Sequence, residues 1–344
     1  MGSSVVGVDI GTSSIRAVEV SSAGKNKPLL VGYHEVALPE GAVRSGEVVE
    51  TNTVVVALKQ LWAEGKFKSK DVVLGVGSPK VLVRDLSVPR LNPKELKASL
   101  PAHVQDMLPV PIADALLDFY PTSETATDNG PMVNGLLVAA VKQSVLANVT
   151  ALQRAGLSPV SVDLIPFALT RLHSQPGNVA FIDVGERTTN VVVAANGVPQ
   201  FVRIIATGGN DLTQALASRL EVPHDQALRI KHGLGLGTAN VPPEHLPAVQ
   251  IIREVTAELL NSLRNTLAYY ANMHQNEVYS GLVLSGGGAN LQGFHLALGE
   301  ITRIPITMVD PFDQLNTGKK LDGISVAERH SLSVALALAI GHVA

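Results

Sequence analysis

The sequence predicts an α/β protein of two related lobes with a ligand cleft between them. Three observations predict this. The first is Val5-Val6-Gly7-Val8-Asp9-Ile10-Gly11-Thr12-Ser13-Ser14-Ile15-Arg16, an apolar run that ends in Asp-x-Gly, three small hydroxyl residues and a second apolar run. The second is its recurrence half a chain later, as Ala180-Phe181-Ile182-Asp183-Val184-Gly185-Glu186-Arg187-Thr188-Thr189-Asn190 followed by Val191–Ala194. The third is a positive mean hydropathy that comes from Val, Ala and Leu, as expected where strands are covered on both faces.

Each copy has a physical reading. Alternation and β-branched residues favour a strand on both sides of the turn. Gly11 permits a tight turn. Such a turn offers backbone N–H groups and hydroxyls to an anion. A carboxylate at the end of a buried strand, as at Asp9, needs a cation or a donor. A phosphate with a divalent metal satisfies both groups; an ordinary hairpin has the same residue types.

The remaining elements follow in chain order. Ile15–Ser21 and Leu29–Leu38 complete a three-strand meander, with a turn at Ser22–Asn26. Thr51 caps a helix that runs to about Glu64. Asp71–Val76 and Lys80–Val88 are strands. Asn92-Pro93-Lys94-Glu95 has the N-cap Asn, first-turn Pro and third-position Glu of a helix start, and that helix runs to about Met107. Leu116–Pro121 and Met132–Val141 are strands joined by a polar loop at Thr122–Pro131. Gln143–Ala155 is a helix closed by Gly156. Pro159–Leu164 is a strand, and a helix starts near Pro166. After the second Asp-x-Gly hairpin come a strand at Pro199–Ile205, helices at Asp211–Leu220 and from Pro223 to His232, and a joint at Gly233–Gly237. A long helix spans about Glu244 to His274. The chain ends with strands at Gly281–Leu284 and Pro305–Val309 and a closing helix at Ser325–Ile340.

Composition excludes several functions. A chain of 344 residues suffices for two lobes. A formal net charge of −3 does not favour a nucleic-acid partner. The absence of cysteine excludes disulfides, thiolate metal sites and a Cys nucleophile, and suits a cytosolic protein. Val5 already enters a strand, leaving no room for a signal peptide. No apolar run reaches the ~20 residues of a membrane span. The histidines show no metal-ligand spacing.

Three further stretches carry chemistry with alternatives. Gly286-Gly287-Gly288 lets the backbone approach a flat ring or a phosphate, or simply turns a strand into a helix. Thr207-Gly208-Gly209-Asn210 opens a helix and suits an anion, or is a capped helix start. Lys231 could edge a ribose or purine, or lie on a solvated helix face. Lys66-Phe67-Lys68-Ser69-Lys70 reads as a wet turn, with a contact to anionic lipid headgroups as the lesser reading.

Together these pieces resemble the actin-like ATPase superfamily. The first phosphate motif is Asp9–Ser14, the second Asp183–Asn190 and the adenosine motif Ser285–Leu291. Within it the chain is most similar to the type IV pilus assembly PilM family, a relative of the FtsA division proteins. Gly7–Val20 is similar to the start of that family, with Arg16 where Lys is more usual. Val88–Leu96 is similar to its approach to an inserted subdomain, and Val160–Leu169 to its connecting segment. The resemblance implies an actin-like ATPase fold: a first lobe core at 1–88, a 1C-type inserted α/β subdomain at 89–155, and a return to the first lobe at 156–178. The second lobe core follows at 179–212 and 276–324, interrupted by a helical subdomain at 213–275, and 325–344 closes the first lobe.

The resemblance also implies ATP with Mg2+ in the cleft. Asp9 and Asp183 would hold the metal through waters. Gly11, Thr12, Ser13, Ser14 and Arg16 would meet the phosphates from one side, and Gly185, Thr188, Thr189 and Asn190 from the other. Gly208, Gly209, Asn210, Lys231, Gly286, Gly287, Gly288 and Asn290 would surround the nucleoside. Asp163 is nearest to the family's water-orienting position. Glu186-Arg187, where many relatives have Gly, implies slow turnover at most. The implied role is a cytoplasmic adaptor that docks the N-terminal tail of a PilN-like inner-membrane protein in a groove between the first lobe and the insertion. Pilus motor ATPases and a second copy of the chain are further partners it could have, and the membrane is reached only through partners. The alternatives are an FtsA-like filament-forming ATPase and a small-molecule kinase.

Overall fold

The computed structural model describes residues 4–22, 27–128, 130–173, 176–236, 241–274, 278–320 and 323–343. The turn expected at 23–26 and the end of the joint at Gly237 lie outside them.

The first lobe opens with the expected antiparallel meander, β1 (Ser4–Ile10), β2 (Ser14–Ser21) and β3 (Leu29–Ala37). A small hairpin, β4 (Val43–Arg44) and β5 (Glu47–Val48), leads to α1 (Thr51–Gly65). Glu50 takes the N-cap position expected of Thr51. β6 (Asp71–Val76) then pairs parallel with β1.

The insertion contains β7 (Leu82–Pro89), α2 (Pro93–Val104), β8 (Ala115–Thr127) and β9 (Gly130–Val141), and α3 (Lys142–Arg154) and β10 (Ser158–Leu164) follow. Two elements differ in allegiance from the sequence reading. The strand expected to finish the first lobe, β7, pairs along its whole length with β9, from Leu82↔Ala139 to Pro89↔Met132. The helix expected in the insertion, α3, packs on α1, because its buried Ala151 and Leu152 join Val54, Leu58 and Leu61 in one apolar cluster. The side chain of Asn148 holds the small hairpin: Nδ2 donates to Gly46 O at 2.9 Å, and Oδ1 accepts from Val48 N at 2.9 Å.

The expected loop at Thr122–Pro131 is a hairpin tip. β8 and β9 stay paired from Ser123↔Asn134 to Thr127↔Gly130. Asn134 Nδ2 donates to Ser123 Oγ and Thr125 Oγ1, so polar cross-strand pairs support a ribbon whose composition reads as loop. The Asn92–Glu95 capping box forms as read, but α2 stops at Val104 and a 3₁₀ turn covers Gln105–Met107.

After α4 (Ile165–Leu169) the second lobe repeats the first. Its strands are β11 (Asn178–Val184), β12 (Thr189–Ala195) and β13 (Val198–Ile205). Helices α5 (Gly209–Arg219), α6 (His224–Leu234) and α7 (Leu246–Met273) precede β14 (Tyr279–Ser285), α8 (Phe294–Thr302) and β15 (Ile306–Met308). The two five-stranded sheets have the same order: β10-β6-β1-β2-β3 in one and β15-β14-β11-β12-β13 in the other. The duplication suspected from two short motifs therefore extends over both sheets. The closing helix is broken at Leu332 into α9 (Val326–Ser331) and α10 (Ser333–Val343).

One apolar core joins the lobes. It includes Val5 and Val18 of the first sheet, Phe181 and Val192 of the second, and Ala168, Ala335 and Leu338 of the helices between them. α10 lies so close to β1 that a Cβ on Gly7 would overlap the backbone of Ala335 and Ala339. Helix backbone cannot step aside as a side chain can. Gly7→Ala is therefore expected to lower the free energy of unfolding by about 3 kcal/mol or more, measured by urea denaturation.

Candidate functional site

The two Asp-x-Gly turns are closed in the same way. Gly11 N donates to Ser14 O at 3.0 Å, and Gly185 N donates to Thr188 O at 2.9 Å. In the ladders Asp9 stands opposite Arg16 and Asp183 opposite Asn190. Both turns line one cleft with a volume of about 330 Å3.

Most of the residues singled out in the sequence meet there. Asp9, Gly11, Thr12, Ser13 and Arg16 form the first wall. Asp183, Gly185, Thr188 and Asn190 form the second, extended by Gly209, Asn210, Lys231, Gly287 and Gly288. Ile165 of α4 and Val334 of α10, with Ile10 and Leu228, supply the apolar part of the lining.

Others are not brought into the lining. Thr189 Oγ1 donates to Thr207 O at 2.7 Å, and Ser14 is buried beside its turn. Gly208 and Gly286 stand behind the wall. A Cβ on Gly208 would be 2.5 Å from Glu186 O, and Gly286, at φ +88°, abuts the Val184 carbonyl. These glycines admit neighbouring backbone rather than a ligand. Gly287 differs, since a Cβ there would meet nothing within 4 Å. Asn290 faces the hinge, where its Oδ1 lies 3.2 Å from His330 Nδ1 and its Nδ2 donates to Ala327 O. Asp163 is outside the cleft lining and is held by Arg171, with Nη1 donating to Oδ2 at 2.5 Å.

Charge is concentrated where the turns meet. Arg16 bridges Asp9, at 3.6 Å, and Glu35, at 3.0 Å. Asp9 is only 14% exposed. Burial pushes its carboxyl up to about 6; Arg16 opposes the rise, and the neighbouring Asp183 and Glu35 charges add to it. Burial also raises Asp183, against hydrogen bonds from Ser285 Oγ at 3.1 Å and Asn190 Nδ2 at 3.4 Å. Lys231 is buried, and its Nζ donates to Gly209 O at 2.6 Å and to Thr213 Oγ1 at 3.3 Å. Desolvation holds this amine below its ordinary range, while Glu186 and Asp211 favour its charge. It ties α6 to the first turn of α5.

Several cleft residues escaped the sequence reading: His224, Leu228 and His232 of α6 line the cleft beside the anticipated Lys231. Their spacing of 0, 4, 7 and 8 is one helical face, a signal that periodicity could have found. Glu186 and Arg187 also line it, and Ser285 reaches Asp183.

The residues fit a phosphate and a divalent cation. Of the cleft residues, Arg16 Nε, a donor, and Glu186 Oε2 and Asn190 Oδ1, acceptors suited to a cation, are buried with no hydrogen-bond partner. Two carboxylates are hard oxygen donors of the kind Mg2+ takes, together with water and phosphate oxygens. Among the described residues no cluster of three or more His, Asp or Glu side chains could hold a metal alone.

Two duplicated lobes, hinged on shared helices and closing on paired Asp-x-Gly turns, define the actin-like ATPase fold. The chain belongs to the type IV pilus assembly protein PilM family, whose family model it matches over residues 7–342. It is similar to a solved "PilM-PilN type IV pilus biogenesis complex", with a TM-score of 0.86 and 26% identity over 99% of this chain and 98% of that one. MreB5 of Spiroplasma citri bound to ADP shares the fold, with a TM-score of 0.55 and 12% identity over 96% of this chain and 94% of that one. The cell division protein FtsA of Bacillus subtilis is 22% identical over 352 residues, covering 89% of this chain and 78% of FtsA.

The raised Asp9 gives the ligand-free protein a testable pH dependence. Above about 6 the carboxylate is ionised both folded and unfolded, and its burial costs stability. As pH falls through about 6, the folded state takes up the proton first, and the cost disappears by the ordinary carboxylate range. Asp9→Asn should therefore stabilise the ligand-free protein at pH 7.5 by on the order of 2 kcal/mol. It should also flatten the unfolding free energy between about pH 7 and pH 4, as followed by urea titrations at each pH.

Proposed function

We propose that this protein is a nucleotide-binding adaptor of type IV pilus assembly. In this reading Mg-ATP occupies the cleft, and the first lobe together with the insertion receives the N-terminal cytoplasmic tail of a PilN-like inner-membrane protein. The protein then works at the inner face of the cell membrane through that partner. The observation that carries the nucleotide is the pair of identically closed turns on one cleft, with their buried polar atoms unpartnered. The likeness to the PilM–PilN complex supports the partner.

Asp9 and Asp183 would hold the metal, and the divalent cation would supply the positive charge that these carboxylates lack. The hydroxyls and N–H groups of Thr12 and Ser13, and those of the Glu186–Thr188 stretch, would face the phosphates. Arg16 stays with Asp9 and Glu35 and balances them. Gly287, open to the cleft, leaves room for the base, and α6 closes its edge. The lobes share α4 and α10, so a ligand that fixes their spacing also fixes the first lobe against the insertion. At that joint a crevice is lined by Val76, Val81, Val141 and Val145, with Lys80 paired to Glu47 at 2.8 Å beside it. The crevice itself encloses only about 10 Å3, so the tail would lie across its mouth and not within it.

The test is a pull-down with a synthetic PilN-like tail, with and without Mg-ATP, beside direct titration of ATP. The expected result is capture of the tail, with the extent of capture changed by ATP. Asp183→Asn should weaken Mg-ATP about tenfold or more, which is ~1.4 kcal/mol. It should also remove the effect of ATP on the tail. No capture in either nucleotide state would remove the adaptor, and no ATP binding by the wild type would remove the nucleotide.

A further inference from the structure

We propose that Arg187 distinguishes a nucleoside triphosphate from a diphosphate by exchanging Glu40 of the first lobe for the terminal phosphate. This rests on the nucleotide reading of the cleft and adds a discriminating residue to it.

Among the described residues the cleft is lined by three permanently or ordinarily cationic side chains, Arg16, Arg187 and Lys231. Two are committed. Arg16 lies between Asp9 and Glu35. Lys231 is buried and donates to Gly209 O and Thr213 Oγ1. Arg187 is 42% exposed, and its Nη2 stands 3.8 Å from Oε1 of a Glu40 that is 94% exposed. That separation is too long for a hydrogen bond. An ion pair so open to water contributes little, so it is readily given up to a better anion.

The backbone beneath Arg187 is fixed. Gly209 N donates to Gly185 O at 2.9 Å, and Asn210 N donates to Glu186 O at 2.7 Å. Gly208 packs directly on Glu186 and Arg187. An anchored turn with a free guanidinium suits phosphate, which takes two of its N–H groups at once. The phosphate-facing groups Thr12, Ser13 and Thr188 are neutral, so they answer the extra charge of a third phosphate less well than Arg187 does.

Release of Glu40 has a consequence in the first lobe. Glu40 sits in the segment between β3 and α1. That segment starts at the first phosphate turn, where Leu38 N donates to Ser13 O at 2.7 Å. Further on, Gly46 lines both the cleft and the crevice at the insertion. Glu47 accepts from Ser78 Oγ and Lys80 Nζ, and Asn148 of α3 grips the hairpin on both sides. The exchange at Arg187 therefore acts on the segment that borders the proposed tail site.

The experiment titrates Mg-ATP and Mg-ADP into the wild type, Arg187→Gln and Glu40→Gln by calorimetry. Arg187→Gln should weaken ATP about tenfold and leave ADP within about twofold. Glu40→Gln, which removes the competing anion, should strengthen ATP and leave ADP unchanged. The melting temperature of ligand-free Arg187→Gln should match the wild type, because the pair is exposed. Equal loss of both nucleotides in Arg187→Gln, no loss of either, or weaker ATP in Glu40→Gln overturns the inference and leaves the nucleotide site standing. A wild type that binds neither nucleotide overturns the nucleotide site, and the inference with it.

Discussion

Two carboxylates at equivalent strand ends, Asp183 buried and Asp9 largely so, face one cleft and are the constraint around which this molecule is arranged. Neither is well satisfied by the protein alone. Asp183 has two side-chain donors at 3.1 and 3.4 Å, and Asp9 has an arginine at 3.6 Å shared with Glu35. Both carboxyls are raised by burial despite these partners. A chain selected for stability alone would place Asn or Ser at such positions. Retaining Asp at both, with further unpartnered polar atoms beside them, is the local disagreement with folding rules that marks a functional site.

The hinge carries that constraint to the rest of the chain. The cleft is lined in part by α4 and α10, whose other faces belong to the core shared by both sheets. Gly7 lets α10 settle directly onto β1, and Gly75 gives Leu338 and Ile165 the same access to β6. Close packing of this kind transmits displacement instead of absorbing it. Asn290 and His330 bind the end of the glycine turn to α9. Asn290, expected as a nucleoside contact, commits its side chain to Ala327 O and His330 of α9, and so ties the glycine turn to the helices shared by the lobes.

How much of this was legible follows from which interactions are local. The Asp-x-Gly hairpins, the capping box at Asn92 and the meanders depend on neighbours a few residues away, and the sequence specifies them closely. Strand allegiance does not. The β7 segment alternates acceptably for either lobe, and only its pairing with β9 decides. The tip at 122–131 is polar because its side chains bond across a wet ribbon, so composition alone reads it as loop. The glycines show the same limit. Gly208 and Gly286 had two readings in the sequence, a ligand contact or a structural turn, and what approaches them is the Glu186–Arg187 and Val184 backbone. The face of α6 was legible by period, but its polar and apolar residues hid a common direction. Asp163 was expected only from its likeness to the family's water-orienting position, and in the fold it is held by Arg171, eight residues on.

The same geometry bears on what a bound nucleotide would do. Hydrolysis needs a group that holds water in line with the terminal phosphate. The cleft carboxylates among the described residues are Asp9, Asp183 and Glu186. In the proposed reading Asp9 and Asp183 belong to the metal. Glu186 lies close enough to Lys231 for its charge to be felt there, and the backbone of its own turn is pinned by Gly208 and Asn210. The groups that converge on the cleft are therefore suited mainly to holding charge, and among the described residues the most loosely held cation there, Arg187, reaches Glu40 of the first lobe. In the proposed reading an adaptor would benefit from that balance: a triphosphate held for long enough would keep the two lobes at one spacing, and so would keep the joint beside the insertion in one shape for its partner.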